Sequence, residues 1–267
     1  MMRFTEYFLE DNAFEFIGPI REGDRPWSAV SSIRALIEDF IAARDETDLE
    51  ALEESARVEG SEDAGFSIVV DRPIVLPRQI VSRAHGFCVG GGTLLEPGAI
   101  IKAPCVIGSG CEIRQGAYMR GDVIVGDRCV IGHVTEVKNS IFMDNSNAGH
   151  FSYVGDSIIG SCVNLGAGTI LANLQFRTRG EIDGGRINEI VIRSRGEEIA
   201  TGMGKLGAVI GDYTEIGCNT VTAPGTMIGN GSWIYPTTAV PKGFYDPGSV
   251  IKNPGGASVE ISRKPPG

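Results

Sequence analysis

The sequence predicts a mainly β fold in the form of a parallel β-helix, and three observations support this prediction. Aliphatic residues recur every six positions over long stretches, a small residue stands two positions before most of them, and glycine is abundant. Glycine accounts for 37 of the 267 residues, about twice its usual share of about 7%. The glycines do not fall at every third position, which excludes a collagen-like chain.

The six-residue period is the primary signal. It fits no amphipathic helix, whose apolar stripe recurs every 3.6 residues, but it fits a solenoid in which each hexad forms one short strand and turns a corner. We expect the aliphatic side chain to point inward, the small residue to fill the corner and glycine to allow the turn. The inward residues of the first run are Val89, Leu95, Ile101, Ile107, Ile113, Met119, Val125, Ile131 and Val137; those of the second run are Ile210, Ile216, Thr222, Ile228, Ile234 and Val240. Between the runs, Ile159, Leu165 and Leu171 share a phase after a slip near Met143 to Tyr153.

Charge and cysteine content narrow the class of protein. The net charge of −10 and the pI near 4.9 argue against a nucleic-acid-binding protein, which needs a basic face. The apolar runs are too short for a membrane-spanning helix, so no membrane partner is expected. Cys105, Cys111 and Cys129 fall in the small inward position and are expected to be buried apolar residues. Six cysteines without a secretory signal fit a cytoplasmic location, and the lack of a CxxC pair argues against zinc.

The region before the repeat is expected to cap one end of the solenoid. We interpret residues 1–70 as an N-terminal α/β cap and residues 71–240 as the β-helix. Within the cap, the segment that begins near Ser28 has apolar residues at helical spacing, Asp48–Arg57 is a candidate second helix, and Phe66–Val70 is a candidate strand. A cap is useful because an exposed solenoid end invites pairing with another chain.

Two further segments interrupt or follow the hexads. Residues 174–207 form an insertion in which Ile187–Arg193 and Glu197–Ala200 are predicted to pair as a projecting β-hairpin. Long insertions in repeat proteins usually lie on the binding face. Residues 241–267 are proline-rich and are interpreted as an extended C-terminal tail.

The three histidines are the first candidates for chemistry. His85, His133 and His150 are separated by 48 and 17 positions, which does not match the two closely spaced histidines of a trimeric β-helix zinc site. We therefore expect no metal centre. His133 lies outside the inward positions and is expected at the surface, whereas His150 lies inside the phase slip.

The sequence around His150 resembles a known family. The run TEVKNSIFMDNSNAGHFSYVGDSIIGSCVNLGAGTILAN is similar to the acetyltransferase domain of the bifunctional N-acetylglucosamine-1-phosphate uridylyltransferase / glucosamine-1-phosphate acetyltransferase, a hexapeptide-repeat acyltransferase of UDP-N-acetylglucosamine biosynthesis. The similarity covers residues 118–173 nearly without gaps and resumes at 205–212. It implies a left-handed parallel β-helix that forms a homotrimer with active sites between subunits.

The resemblance also implies roles for individual residues. His150 matches the catalytic base, and Ala167 and Asn173 fall where the acetyl-CoA pocket is built. The substrate-binding residues that it implies are Arg120, Lys138, Tyr153, Asn164 and Lys205. These residue types suit the chemistry, since histidine is a common general base and Arg and Lys bind phosphate. An acetyl thioester is already activated, so the transfer itself requires no metal.

The match also has departures, and they leave the function open. No uridylyltransferase activity is expected, because residues 1–70 are too short for a nucleotide-binding domain. After Asn173 the family has Tyr-Asp-Gly, whereas this chain has Leu174-Gln175-Phe176 and the insertion. The whole chain looks more like short nucleotidyltransferase-related β-helix proteins that lack that domain. The alternatives are an acetyl-CoA-dependent N-acetyltransferase acting on an amino-sugar phosphate such as glucosamine-1-phosphate, a non-catalytic sugar-phosphate or sugar-nucleotide binding protein, and a purely structural solenoid.

Overall fold

The computed structural model describes residues 3–23, 25–52, 54–194, 196–253 and 260–263. Its main body is a stack of eight coils, in which three parallel sheets run along the three faces of a prism. We name them sheets I, II and III in the order in which each coil passes through them. Each strand pairs with the equivalent strand of the next coil, which confirms the predicted parallel β-helix.

The strands are short, as the hexads predict. Sheet I contains Phe87–Val89, Cys105–Ile107, Val123–Val125, Ser140–Phe142, Ile158–Ile159, Ala208–Ile210, Thr226–Ile228 and Gly243–Tyr245. Sheet II contains Leu94–Leu95, Glu112–Ile113, Val130–His133, Asn147–His150, Asn164–Leu165, Glu215–Ile216, Trp233–Ile234 and Ser249–Lys252. Sheet III contains Ile100–Lys102, Tyr118–Met119, Glu136–Lys138, Tyr153–Gly155, Ile170–Leu171, Val221–Thr222 and Ala239–Val240.

The interior of the prism is filled by the predicted aliphatic residues. Every inward residue of both hexad runs is buried, from Val89 at 1% exposure to Val240 at 2%. The small residues beside them satisfy backbone groups: the Thr93 hydroxyl donates to the Gly108 carbonyl at 2.8 Å, and the Thr135 hydroxyl donates to the Ala148 carbonyl at 3.1 Å. Cys105, Cys111 and Cys129 are buried, as predicted. A thiol or hydroxyl suits this position because it is small and can donate to the next coil.

The phase slip has a simple geometric cause. Sheet I pairs Val125 with Phe142 and Phe142 with Ile159, so two successive coils are each one residue short. Both missing residues come from the corner between sheets III and I, which we call the III–I corner. Asn139 and Asp156 turn these short corners with φ values of 46° and 49°. Asn and Asp tolerate this left-handed conformation better than most residues.

The N-terminal region closes one end of the prism and covers one of its flanks. A hairpin of Ala56–Ser61 and Gly65–Val70 pairs antiparallel with the first strand of sheet III, while Ile80–Ser82 and Ile74–Val75 pair antiparallel with the first strands of sheets I and II. The predicted second helix is instead a single 3₁₀ turn, Glu50–Leu52, because the chain turns there to enter the hairpin. The helical elements before it are Phe4–Glu6 (3₁₀), Ile17–Glu22 (α), Ser28–Ser31 (3₁₀) and Ile33–Ala42 (α).

These helices pack along the outer face of sheet I. Ile33, Ile37 and Ile41 lie on one side of the Ile33–Ala42 helix, as the helical spacing predicts, and are buried against the outward residues of that sheet. The buried Asp212 carboxylate fixes the chain before the helices, accepting hydrogen bonds from the Leu9 amide at 2.8 Å and from the Asn12 side chain. Sheet I is therefore covered, whereas sheets II and III keep exposed outer faces.

The insertion and the C-terminal end both differ from the sequence expectation in extent. Val191–Ser194 and Glu197–Ala200 form the predicted hairpin, but it does not project from the solenoid: Ile190 and Ile192 are buried in the apolar cluster on the outer face of sheet I, together with the N-terminal helices. The insertion also contains a helix, Arg179–Gly184, that begins with a capping box at Thr178. The hexads were expected to stop at Val240 and to give way to an extended tail. The structure instead continues the solenoid through an eighth coil, with Tyr245 and Ile251 buried inside it, and adds the antiparallel strand Glu260–Arg263. The Pro241–Gly243 corner is one residue short, so the inward residues of the eighth coil no longer fall at multiples of six from Val240. The expectation for 254–259 and 264–267 lies outside the described residues.

Close stacking of coils gives a test of the fold. A Cβ at Gly132 would lie 1.8 Å from the Gly149 carbonyl oxygen of the next coil, and backbone offers no room to yield. We expect Gly132→Ala to lower the free energy of unfolding by at least the roughly 1–3 kcal/mol typical of overpacking, measured by urea denaturation. Gly180→Ala is the control, since a Cβ there meets nothing within 4 Å and alanine favours the helix. Equal stability of the two variants would contradict the coil stacking.

Candidate functional site

The corner between sheets II and III, here the II–III corner, carries His150. The residue ends the strand Asn147–His150, is exposed, and lies directly beside His133 of the preceding coil. His133 is half-buried at the surface: its Nδ1 lies 2.9 Å from the Gln115 carbonyl oxygen, and its ring packs edge-on against Phe151. The two histidines therefore share a corner but differ in surroundings, because His133 is held and His150 faces solvent.

A cleft of about 430 Å³ lies beside His150 on this corner. His150, Asn164 and Ala167 line it together with Cys218. A second, more apolar cleft of about 490 Å³ shares Asn164 and Cys218 with the first and extends to Trp233 and Tyr235. The two clefts form a groove along sheet II and its corner, polar near His150 and apolar toward the C-terminal coils.

Backbone groups tie His150 to the floor of the cleft. The Gly168 amide donates to the His150 carbonyl at 3.0 Å, and the Gly166 amide donates to the Ile216 carbonyl at 2.7 Å. The Ala167 amide lies between them and has no backbone partner among the described residues. One backbone donor is thus left free within the cleft that His150 lines.

Cations stack along the outer edge of sheet III. The strand register places Lys102, Arg120 and Lys138 in equivalent positions of three successive coils, about 4.8 Å apart. Arg120 donates to the Glu136 carboxylate at 2.7 Å, and this contact raises the pKa of the guanidinium further. Lys102 lies 5.9 Å from the centre of the Tyr118 ring. Lys102 and Arg120 are exposed and Lys138 is half-buried, and the column lies on an uncovered sheet where an anion can reach it.

A buried carboxylate lies beside this column. Asp156 has a side chain that is only 5% exposed, and Lys138 approaches it with an Nζ–Oδ2 distance of 3.2 Å. The Asn139 side chain donates to Oδ1 at 2.7 Å, and the Asn173 side chain donates to Oδ2. Lys138 and Asn173, two of the predicted site residues, therefore meet at one acid.

Tyr153 completes this group of residues. Its hydroxyl accepts a hydrogen bond from Asn173, and burial together with the Asp156 and Glu136 charges raises the pKa of the phenol. The space is available because residue 155 is glycine: a Cβ there would lie 2.6 Å from the Tyr153 hydroxyl and 2.8 Å from the Asn173 amide nitrogen. Lys205 is exposed and directly precedes Leu206, whose amide donates to the Asn173 carbonyl at 3.0 Å.

The predicted site residues thus fall into two groups. His150, Asn164 and Ala167 line the cleft, whereas the group on sheet III and its edge consists of Arg120, Lys138, Tyr153, Asn173 and Lys205. Asn173 was expected beside Ala167 but lies with Lys138. His150 and Gly155 are five positions apart in sequence, at most about 18 Å of chain, and they lie at the two edges of sheet III in the same coil.

The sequence reasoning missed the acids that hold the cations. Glu136 and Asp156 bind Arg120 and Lys138, and Asn139 helps to position Asp156. A signal was present in the phase slip, since a shortened corner brings the side chains of successive coils together. Among the described residues, no group of three or more His, Cys, Asp and Glu is arranged to hold a metal ion. Nor does this part of the chain contain a helix long and apolar enough to cross a membrane.

Comparisons with known proteins agree with the resemblance seen in the motifs. Residues 88–191 match a family model described as the GMPPB C-terminal domain. The chain is 40% identical over 123 residues to a bifunctional sugar-1-phosphate nucleotidylyltransferase/acetyltransferase of Sulfurisphaera tokodaii, covering 46% of this chain and 28% of that protein. It is 34% identical over 167 residues to a bifunctional protein GlmU of Methanococcus maripaludis, covering 58% and 38%. The chain thus spans less than two fifths of the length of these relatives, and the similarity to the bifunctional enzymes is confirmed for that part.

Similar solved structures include an N-acyltransferase, AntD of Bacillus cereus, in complex with dTDP-4-amino-4,6-dideoxyglucose and coenzyme A. Its TM-score is 0.34 at 16% identity, with 66% of this chain and 82% of that chain covered. A UDP-N-acetylglucosamine acyltransferase of Francisella novicida has a TM-score of 0.32 at 14% identity, covering 66% and 68%.

Cysteine exposure provides a test of the cleft geometry. Cys218 is exposed in the groove, Cys162 is half-buried and the other four thiols are buried, where burial raises the pKa of Cys88 to about 11. The thiolate is the reactive form, so we expect a disulfide reagent such as Ellman's reagent to modify about one thiol per native chain rapidly. Cys218→Ser should remove this fast phase. A fast phase that persists in the variant would show that Cys218 does not line an open groove.

Proposed function

We propose that this protein is an acetyl-CoA-dependent N-acetyltransferase that acts on an amino-sugar phosphate such as glucosamine-1-phosphate. The observation that carries the proposal is the position of His150 at one end of an open groove, with a column of cations along the far edge of sheet III. The groove suits an acyl-CoA, and the cations suit a phosphorylated acceptor. The resemblance to acetyltransferase domains supports the same assignment.

The groove provides a place for the acyl donor. Its apolar part, beside Trp233 and Tyr235, fits the pantetheine arm, and its polar part brings the thioester to His150 and Ala167. Coenzyme A is bound in the AntD complex, which is consistent with a CoA donor. The donor is a co-substrate and is not retained between turnovers.

The edge of sheet III provides a place for the acceptor. Arg120, Lys138 and Lys205 are proposed to bind its phosphate, because guanidinium and ammonium groups form strong charge-assisted hydrogen bonds to phosphate oxygens. Tyr153 and Asn164 are proposed to contact sugar hydroxyls. Both carry polar side chains, Asn164 in the cleft beside His150 and Tyr153 beside Asn173. Asn173 holds Tyr153 in place through its hydroxyl.

The transfer step follows from these positions. The acceptor amine attacks the thioester carbonyl carbon and a C–N bond forms, while His150 takes the amine proton. The negative charge that develops on the carbonyl oxygen is stabilised by the unpaired Ala167 amide. The C–S bond then breaks, and the proton passes from His150 to the CoA thiolate. The products are an N-acetylated sugar phosphate and free CoA.

Substitution of His150 tests the assignment. We expect His150→Ala to lower kcat/KM about 10²- to 10⁴-fold in an assay of CoA release with glucosamine-1-phosphate, because the amine loses its general base. His133→Ala is the matched control, since His133 occupies the same corner one coil away and has its Nδ1 already engaged. Equal losses in both variants would contradict a specific role for His150.

A second candidate function is a sugar-phosphate or sugar-nucleotide binding protein without turnover. One observation favours it: within the part of the chain that the structure describes, no carboxylate or carbonyl forms a hydrogen bond to the His150 ring, whose centroid lies 6.2 Å from that of the Phe151 ring. Catalytic histidines usually have such an orienting partner. If wild type and His150→Ala are equally inert while a sugar phosphate still raises the melting temperature, this second function is correct. If neither acyl-CoA nor sugar phosphate shifts melting, the solenoid is structural.

We further propose that the active unit is a homotrimer with its site between subunits. The cleft that His150 lines does not include Lys138 or Arg120, so packing of a second subunit is the simplest way to place both groups on one substrate. Ile170 and Val221 pair with each other on successive strands of sheet III and are each about 40% accessible, so they form an apolar patch on a face that the N-terminal helices leave uncovered. Burial of such a patch is a typical driving force for subunit association.

The oligomer is tested by placing a charge on this patch. We expect light scattering to give wild type a mass near three times the 28.4 kDa of one chain, and Val221→Glu to give mostly monomer. A buried unpaired carboxylate opposes association because it loses hydration without gaining a partner. Val75→Glu is the control, since Val75 is 59% exposed at the capped end of the prism. A monomeric wild type would overturn both the trimer and a shared site.

A further inference from the structure

The carboxylate of Asp156 joins three successive coils at the III–I corner. It receives Lys138 and Asn139 from the preceding coil and Asn173 from the following coil, while Asp156 itself turns the shortened corner between them. Its side chain is 5% exposed, whereas that of Lys138 is 28% exposed. The acid is therefore interior, and the ammonium that it holds reaches the surface.

Physical chemistry explains why this arrangement fixes the groups around it. A buried carboxylate is unfavourable unless a charge partner and hydrogen-bond donors surround it, and here Lys138 supplies the charge while two amides supply further donors. A lysine side chain is otherwise long and flexible. Because the buried Asp156 carboxylate binds its Nζ, the Lys138 ammonium is held in a defined position within the column of cations.

The same residue also fixes both ends of the insertion. Asn173, at its start, donates to the Asp156 carboxylate, and Gly207, at its end, donates its amide to the Asp156 carbonyl at 2.8 Å. The Leu206 amide bonds to the Asn173 carbonyl, which closes the two ends against each other and places Lys205 next to them. One acid thus connects Lys138 on one side with the base of the insertion and Lys205 on the other.

We propose that Asp156 is a positioning residue for the acceptor phosphate: it orients the Lys138 ammonium and the Asn173 amide and anchors the base of the insertion beside them. This inference rests on the proposed function insofar as the anion is the phosphate of a sugar substrate. Asp156 does not touch the reacting atoms, so its effect is on acceptor binding and not on the transfer step.

The kinetic test is Asp156→Asn, which keeps the shape and removes the charge. We expect KM for the amino-sugar phosphate to rise about tenfold, with KM for acetyl-CoA unchanged and kcat within about threefold, because the loss of one charge-assisted contact is felt mainly in binding. Asp144→Asn is the matched control: Asp144 lies in the same coil at the opposite corner, where its Oδ1 accepts the Asp127 amide at 2.8 Å. An unchanged acceptor KM in Asp156→Asn overturns the proposal.

A milder variant, Asn139→Gly, tests the same role if Asp156→Asn does not fold. Asn139→Gly removes one donor to Asp156, and glycine accepts the left-handed backbone at that position. We expect the acceptor KM to rise as well, but by about threefold, with a melting temperature close to that of wild type. A loss of melting temperature without any change in acceptor KM would assign Asp156 a structural role only and overturn the positioning role.

A second measurement does not depend on turnover. Acetic anhydride labelling followed by mass spectrometry reports the reactivity of Lys138, with Lys102 as the internal reference. We expect Lys138 to be labelled several-fold faster in Asp156→Asn but not in Asp144→Asn, and inorganic phosphate to protect Lys138 in wild type but not in Asp156→Asn. If no amino-sugar phosphate is a substrate, the proposed function fails while this labelling still tests Asp156. Equal labelling in both variants, or no protection of wild type, overturns the proposal.

Discussion

The structure depends on the stacking of coils in constant register. When each strand pairs with its equivalent one coil away, residues at the same position of successive coils lie about 4.8 Å apart, and any property repeated along the sequence becomes a column in space. Inward aliphatic residues thereby form one continuous core. The same rule, applied outward, places Lys102, Arg120 and Lys138 in one column and His133 beside His150. A solenoid therefore builds a site from residues that are far apart in sequence without any folded-back loop.

The site arises where this regularity is broken. Two successive coils lose one residue each at the III–I corner, and there the side chains of Lys138, Asp156 and Asn173 meet across coils. The insertion leaves from the same corner, at the next coil, after Asn173. Gly155 allows the Tyr153 hydroxyl and the Asn173 amide to occupy the volume that a Cβ would take. The shortened corner, the absence of a side chain at Gly155 and the start of the insertion thus all lie close to Asp156 at the III–I corner.

The features of the structure that could be predicted from the sequence are mostly those that recur periodically along it. The core residues followed from the period of six, and the hairpin of the insertion followed from two short apolar runs separated by a glycine-containing turn. The eighth coil was missed because its corner at Pro241–Gly243 is one residue short. The packing of the N-terminal helices along sheet I was missed because an apolar stripe such as Ile33, Ile37 and Ile41 shows that a helix is covered but not by what. The residues Glu136 and Asp156 were missed because the phase slip in the sequence shows that corners are shortened but not which side chains of successive coils then come into contact.

The charges of the candidate site bear on how an acidic chain would bind the proposed anion. The net charge of −10 opposes the approach of a phosphate, yet Arg120 and Lys138 each carry their own acid, Glu136 and Asp156, as a direct partner. Each pair is nearly neutral as a unit: Arg120–Glu136 lies at the surface, and Lys138–Asp156 has its carboxylate in the interior. Under the proposed function, a phosphate would form hydrogen bonds to the donors that the acids leave unused, in particular on the guanidinium, which has five. Lys205 has no such acid among the described contacts, and it lies at the base of the insertion. The ammonium of Lys205 therefore lies where the two ends of the insertion meet, which under the proposed function places this segment beside the phosphorylated acceptor.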